Sequence, residues 1–211
     1  AGYPLIDVYL TGKELKLAAE VDASVSDFMT TARLYCSGLN FTFNPHRMIL
    51  NKVTDCYLTR EDGERIEIQD DQLYRVVTDL YTGQMLGSVM EMSYGLLKIE
   101  PKEKDGNPIE NLEDQAIMEG DKELKAWDAI ARYMKSFDDT DGNGISNVPE
   151  YYETTHGRKV VDESRNVIDL VKNPNKFSVM IVGIVLVLIL IIILLVVLIR
   201  KLIKKRRRKK K

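Results

Sequence analysis

Asp139, Asp141, Asn143, Ile145 and Glu150 carry the clearest chemical pattern in the chain. In Asp139-Thr140-Asp141-Gly142-Asn143-Gly144-Ile145, closed by Glu150, oxygen donors fall at loop positions 1, 3 and 5, a glycine at 6 and a glutamate at 12. Hard oxygens on alternate residues let a tight turn wrap one cation, and the Ile145 carbonyl would add a ligand, so the spacing is that of a calcium loop. Ser146 stands where a hydrophobic anchor is usual, and Pro149 restricts an exiting helix, so an ordinary Asp/Asn/Gly turn after Phe137 is the competing reading. A calcium ion here would stiffen a joint rather than perform catalysis.

Other reactive residue types are sparse. The two histidines, His46 and His156, are far apart and lack D-x-H or H-x-H spacing, so both read as surface residues rather than metal ligands. Cys36 and Cys56 are the only cysteines and sit in no zinc spacing; they read as buried free thiols rather than as a bridge. Asn40-Phe41-Thr42 matches a glycosylation sequon but falls within a strand pattern. The acidic run from Glu61 to Glu64 reads as a solvated turn.

The elements that must position these residues follow from periodicity. Residues 4–10 alternate as a strand, Thr11-Gly12 breaks it, and 13–20 has helical composition. Residues 34–43 and 51–59 read as two antiparallel strands around the turn at Asn44-Pro45-His46. Residues 65–68 and 74–78 add strands, the latter continuous enough to be central. Residues 87–97 are too mixed to assign, and 98–121 read as rim loops. Residues 122–137 predict a helix whose face of Leu124, Trp127, Ile130, Met134 and Phe137 docks onto a sheet. The polar residues 154–176 read as a stalk.

Residues 177–199 are twenty-three uncharged, mostly Ile, Leu and Val positions. As a helix they reach roughly 34 Å, enough to cross a hydrocarbon core with slight tilt. Ten Lys and Arg follow between 200 and 211, a polybasic tail that stays cytoplasmic and meets anionic lipid. The expected topology is single-pass type I in the cell membrane, with the body extracellular. Of 30 Lys and Arg, those outside the tail number 20 against 32 Asp and Glu, a net of −12. An acidic body argues against nucleic acid as partner. The fold class expected is an α/β ectodomain, a mixed sheet with packed helices over residues 1–153, then a stalk at 154–176, a transmembrane helix at 177–199 and a tail at 200–211. The opening Ala1-Gly2-Tyr3-Pro4-Leu5 has no initiator Met and no apolar signal segment, so the chain is expected to be the C-terminal piece of a longer precursor.

The succession Leu10-Thr11-Gly12-x-x-Leu15-Lys16, Ser37-Gly38-Leu39, Phe43-Asn44-Pro45, Lys52-Val53 and Tyr74-Arg75-Val76-Val77-Thr78 resembles the C-terminal domain of the 5'-nucleotidase family. The likeness runs from residue 4 to about 90, and the remainder resembles the membrane-anchored bacterial members. What it implies is an α/β domain that holds the nucleoside end of a nucleotide. A separate upstream metallophosphoesterase domain, lacking here, would hold two divalent metals and cut the ester. Family members stack the base between two aromatic rings, and the position matching one of them is Tyr81; its alternative role is a half-buried packing residue. The family's Gly-Gly-Asp, which grips the ribose hydroxyls, is replaced by Met85-Leu86-Gly87, removing the carboxylate. Two functions are therefore expected to compete. One is the substrate-binding part of a cell-surface 5'-nucleotidase, itself not catalytic. The other is a calcium-stiffened binding or adhesion module on the same scaffold.

Overall fold

Ile6, Val8 and Leu10 alternate with Asp7 and Tyr9 along β1 (Leu5–Thr11), and the period of two puts all three apolar side chains in the core. The computed structural model describes residues 2–30, 33–93 and 95–208; the last three lysines of the basic tail and the first residue of the expected domain lie outside them. Thr11 ends β1 and caps α1 (Gly12–Val25). Its Oγ1 accepts from the Glu14 N–H at 3.3 Å, while the Glu14 carboxylate accepts from the Thr11 N–H at 2.8 Å. Gly12 is required by space: a Cβ there would lie 2.1 Å from the Gln69 carbonyl oxygen.

β5 (Leu73–Asp79) pairs antiparallel with β1 along its whole length, from Leu5 opposite Asp79 to Thr11 opposite Leu73. The central position expected of residues 74–78 belongs to β1 instead. Among the described residues β5 has one strand neighbour, whereas the far side of β1 bonds to residues expected as rim loops. Tyr9 and Lys102 exchange backbone bonds of 2.8 and 2.9 Å, and Leu5 accepts from Ile117 at 2.8 Å and donates at 2.8 Å to Leu124, a residue expected in the helix rather than the loops. Pro101, Gly106 and Pro108 break the local periodicity there, which is why those pairings read as loop. Asp79 caps α2 (Leu80–Met92) through Thr82, giving helix to most of a stretch that the sequence left unassigned.

A second sheet has the order β4 (Arg65–Glu67), β3 (Val53–Thr59), β2 (Leu39–Phe43), β8 (Lys159–Val161). β2 and β3 form the expected antiparallel pair, and β4 extends it. Helix α1 lies between the sheets: Leu15 and Ala18 pack with Leu10 on one side, Ala19 and Ala23 with Phe41 on the other. Its buried Glu20 carboxylate is satisfied by the N–H groups of Lys52 and Val53 at 2.6 and 2.9 Å and by Ser24 Oγ at 2.8 Å.

The C-terminal half departs most from the sequence reading. Residues 122–123 form β7 (Lys122–Glu123), a hairpin with β6 (Met118–Glu119), and the helix is the shorter α3 (Ala126–Lys135). The expected docking of its apolar face is not found: α3 buries no residue, and Trp127, Ile130 and Met134 are exposed. Helical spacing identifies one apolar face but not what covers it. Phe137 instead joins Tyr133 and Tyr152 in a ring cluster with centroids 5.1 to 6.3 Å apart.

The stretch expected as a stalk is folded onto the second sheet. Its β8 (Lys159–Val161) runs parallel to β2, and α4 (Val167–Val171) follows. Asn44 donates to the Ser164 carbonyl at 2.7 Å, and the buried Arg47 guanidinium donates to the carbonyls of Asn51 at 2.7 Å, Lys172 at 2.6 Å and Asp169. Polar side chains that read as solvated are thus spent on backbone groups. α5 (Lys176–Arg208) begins with Phe177 and Ser178 buried against the body, Phe177 in a cluster with Val21 and Leu97. Beyond that turn the helix projects, apolar and long enough to cross a membrane.

Candidate functional site

The two sheets and the first turns of α2 enclose a cavity of about 740 Å³. Leu10, Tyr74, Val76 and Leu86 line one wall, Leu39, Leu58 and Ile66 the other, with Arg33, Tyr35 and Cys36 at the rim. Tyr81 sits on this wall, in the first turn of α2, because Asp79 starts the helix directly after β5. Its ring is partly exposed and lies 5.5 Å from the Tyr3 ring at 37°.

Sequence reasoning singled out Tyr81 alone. It missed Tyr35, exposed on the same cavity, and Tyr74, whose hydroxyl accepts from the Gln69 N–H at 2.9 Å. Tyr35 follows residues with no clear period, so nothing local marked it. Arg75, also on the wall, is committed to Asp7 through bonds of 2.6 to 2.9 Å, which raise the guanidinium pKa further. Met85 and Leu86 line the cavity within α2.

Both cysteines are free thiols and half-buried. Burial pushes the Cys36 thiol up and the Cys56 thiol up to about 12, so neither is a thiolate at neutral pH.

The Asp/Asn loop joins α3 to a short 3-10 turn at Glu150–Glu153. The Asp139 carboxylate accepts from the N–H groups of Gly142 at 2.7 Å, Asn143 at 3.2 Å and Gly144 at 2.8 Å. The bond from Gly144 is the largest cause holding its pKa below the usual carboxylate value. Asp141 accepts from Asn143, and Asn143 Oδ1 accepts from the Ile145 N–H at 2.8 Å. Asn147 ties the loop shut, accepting from the Thr140 N–H at 2.8 Å. Glu150 is exposed at the start of the 3-10 turn.

Among the described residues no group of three or more His, Cys, Asp and Glu is placed to hold a metal ion. His46 Nε2 accepts from Arg165 at 3.3 Å, while His156 stacks on Tyr151 with centroids 3.7 Å apart.

Residues 2–93 match the family model of the 5'-nucleotidase, C-terminal domain. The matched stretch contains β1 to β5, α1 and α2, together with Tyr81. Among solved structures, a 5'-nucleotidase precursor from Thermus thermophilus aligns at 18% identity with a TM-score of 0.46, over 77% of this chain and 26% of that one. The NAD nucleotidase of Haemophilus influenzae aligns at 22% identity and 0.32, over 39% and 15%. The chain thus spans about a quarter of the length of the first of these proteins. No curated protein matches it.

Proposed function

We propose that residues 2–93 hold the nucleoside end of a nucleotide for a cell-surface 5'-nucleotidase-like phosphoesterase. The ester-cleaving half, with its divalent metals, belongs to a further domain of the same precursor. The observation that carries this reading is the family match over residues 2–93, with Tyr81 exposed on the inter-sheet cavity that the match encloses. Tyr81 offers a π-face to the base, and the apolar lining beside it suits a planar ring. Helix α5 spans the bilayer, the acidic body faces outward and the basic tail stays in the cytoplasm.

The lone tryptophan supplies a test. Trp127 lies over Gly2, beside Tyr3, whose ring contacts that of Tyr81. Titration of the full chain with adenosine is expected to change Trp127 emission. Tyr81→Ala should weaken binding about tenfold, the cost of one lost base stack. No response at millimolar adenosine would remove the nucleoside pocket.

A second reading is favoured by Met85-Leu86-Gly87, which carries no carboxylate where the family's Gly-Gly-Asp would grip the sugar. There the scaffold serves as a non-enzymatic surface module stiffened by calcium at Asp139, Asp141, Asn143, Ile145 and Glu150. Calcium at about a hundred times its dissociation constant should then raise the melting temperature by about 5 °C. The rise should vanish in the double variant Asp139→Asn, Asp141→Asn. An unchanged melting temperature in the wild type disposes of the ion.

A further inference from the structure

The start of α5 is not held away from the body. Phe177 is 4% exposed, packed against Val21 and Leu97, and the Asn175 amide donates to the Leu50 carbonyl. Four residues, 172–175, separate α4 from α5, a span of no more than about 17 Å even fully extended. Within that distance α4 turns Val167, Ile168 and Val171 to solvent at 72, 71 and 65% exposure. The loop beside it does the same with Met48 and Ile49.

These two apolar segments are bound into one unit. Asn44, Arg47 and His46 on the loop engage Ser164, Asp169, Lys172 and Arg165 on the other strand of the unit. Leu50 and Asn173 both adopt left-handed backbone, at φ of 60° and 50°. A leucine in that conformation is strained and persists only where its surroundings over-determine it. Here the Asn175 bond to its carbonyl and the Ser24 Oγ bond to its N–H, 2.9 Å, hold it. The result is a rigid platform that presents apolar side chains at the root of an apolar helix.

We propose that the loop at 46–50 and α4 form a lipid-binding foot that seats the body directly on the bilayer surface, with Met48, Ile49, Val167, Ile168 and Val171 entering the boundary between headgroups and acyl chains. The proposal rests on α5 being a membrane span. The occupant is lipid because the exposed apolar side chains of α4 end only four residues before the helix that enters the hydrocarbon, whose first turn is itself packed against the body. Arg165, Lys172 and Lys176 flank the foot and suit headgroup phosphates. Of the neighbouring acids, Asp169 is occupied by Ser164 Oγ at 2.8 Å, and Asp162 accepts from the Ser164 N–H at 3.1 Å; Glu163 is exposed. Such an interfacial segment lies about 5–10 Å deep, shallower than the span.

Single cysteines placed by Ile49→Cys, Ile168→Cys, Val77→Cys and Leu190→Cys in the full chain would carry a fluorescent label. All four side chains are exposed, so the core is untouched. The native thiols, raised by burial, stay unreactive at neutral pH, and labelling of the unaltered chain measures any background. In phosphatidylcholine vesicles, a nitroxide lipid labelled near the carbonyl should quench Ile49→Cys and Ile168→Cys about twofold, consistent with interfacial depth. The same lipid should leave Val77→Cys unchanged, and a nitroxide at the chain end should quench Leu190→Cys. Quenching of Leu190→Cys with Ile49→Cys and Ile168→Cys no different from Val77→Cys would overturn the foot and leave the span standing. An unquenched Leu190→Cys would remove span and foot together. Labels at 49 and 168 shielded from both nitroxide lipid and aqueous iodide would show a protein cover and also overturn the proposal.

Discussion

Arg47 shows how much one side chain can decide. Its guanidinium reaches three backbone carbonyls, two of them on residues 122 and 125 positions downstream. Arg47→Ala strands buried acceptors, so stability should fall by about 3–5 kcal/mol, read as a lower urea midpoint. Arg47→Lys should recover only part of that loss, because a point charge cannot replace the planar fork. Glu14 gives the molecule an acid-sensitive joint. Burial raises its carboxyl, but the Lys102 ammonium at 2.6 Å and the N–H groups of Thr11 and Glu100 outweigh this and hold it below the ordinary 4.5. A depressed carboxyl contributes stability above pH 4.5 and loses it as pH falls through the folded value. The wild type should therefore melt above Glu14→Gln at pH 7, and the gap should close in acid. The Asp139 carboxylate accepts from N–H groups three to five positions ahead, contacts that a local pattern can suggest, whereas nothing near Arg47 announces carbonyls more than a hundred residues away.

Among the elements, those with local instructions were readable. Leu10-Thr11-Gly12-x-x-Leu15 is a strand end, a cap, a close approach and a core contact in succession, so β1 and α1 followed from it. Gly12→Ala should destabilise by more than about 2 kcal/mol, since the new methyl meets the Gln69 carbonyl rather than a flexible side chain, and a thermal melt would measure it. The β2 and β3 pair was equally plain from its alternation and turn. β8 was not: three residues in a polar stretch carry no period, and their strand character comes wholly from the waiting edge of β2. Ending the chain after residue 153 should unpair that edge, where Phe41 N–H now donates to the Arg158 carbonyl at 2.9 Å. The shortened protein should self-associate on gel filtration, unlike one ended after residue 178. The apolar face of α3 was legible as a face, but its solvent exposure was not, because covering partners are a tertiary fact.

At the scale of the whole molecule, α1 and its two flanking sheets make the cavity, while the second sheet also carries the segment that leads into α5. Cavity wall and proposed anchor are thus parts of one packed body. The acidic charge of that body and the basic tail give the proposed orientation its test: an impermeant amine reagent on intact cells should modify lysines before residue 176 and spare those after 200. The reverse pattern would invert the topology. Phe177 and Ser178, expected as the first residues of the span, are buried against the body instead, and this has one more consequence. Proteases cut chain that can be drawn out into their clefts, and between β8 and α5 little of that kind is offered. In the proposed topology, a body fastened this short is not readily shed: release into the medium would first require prising the helix root from the body.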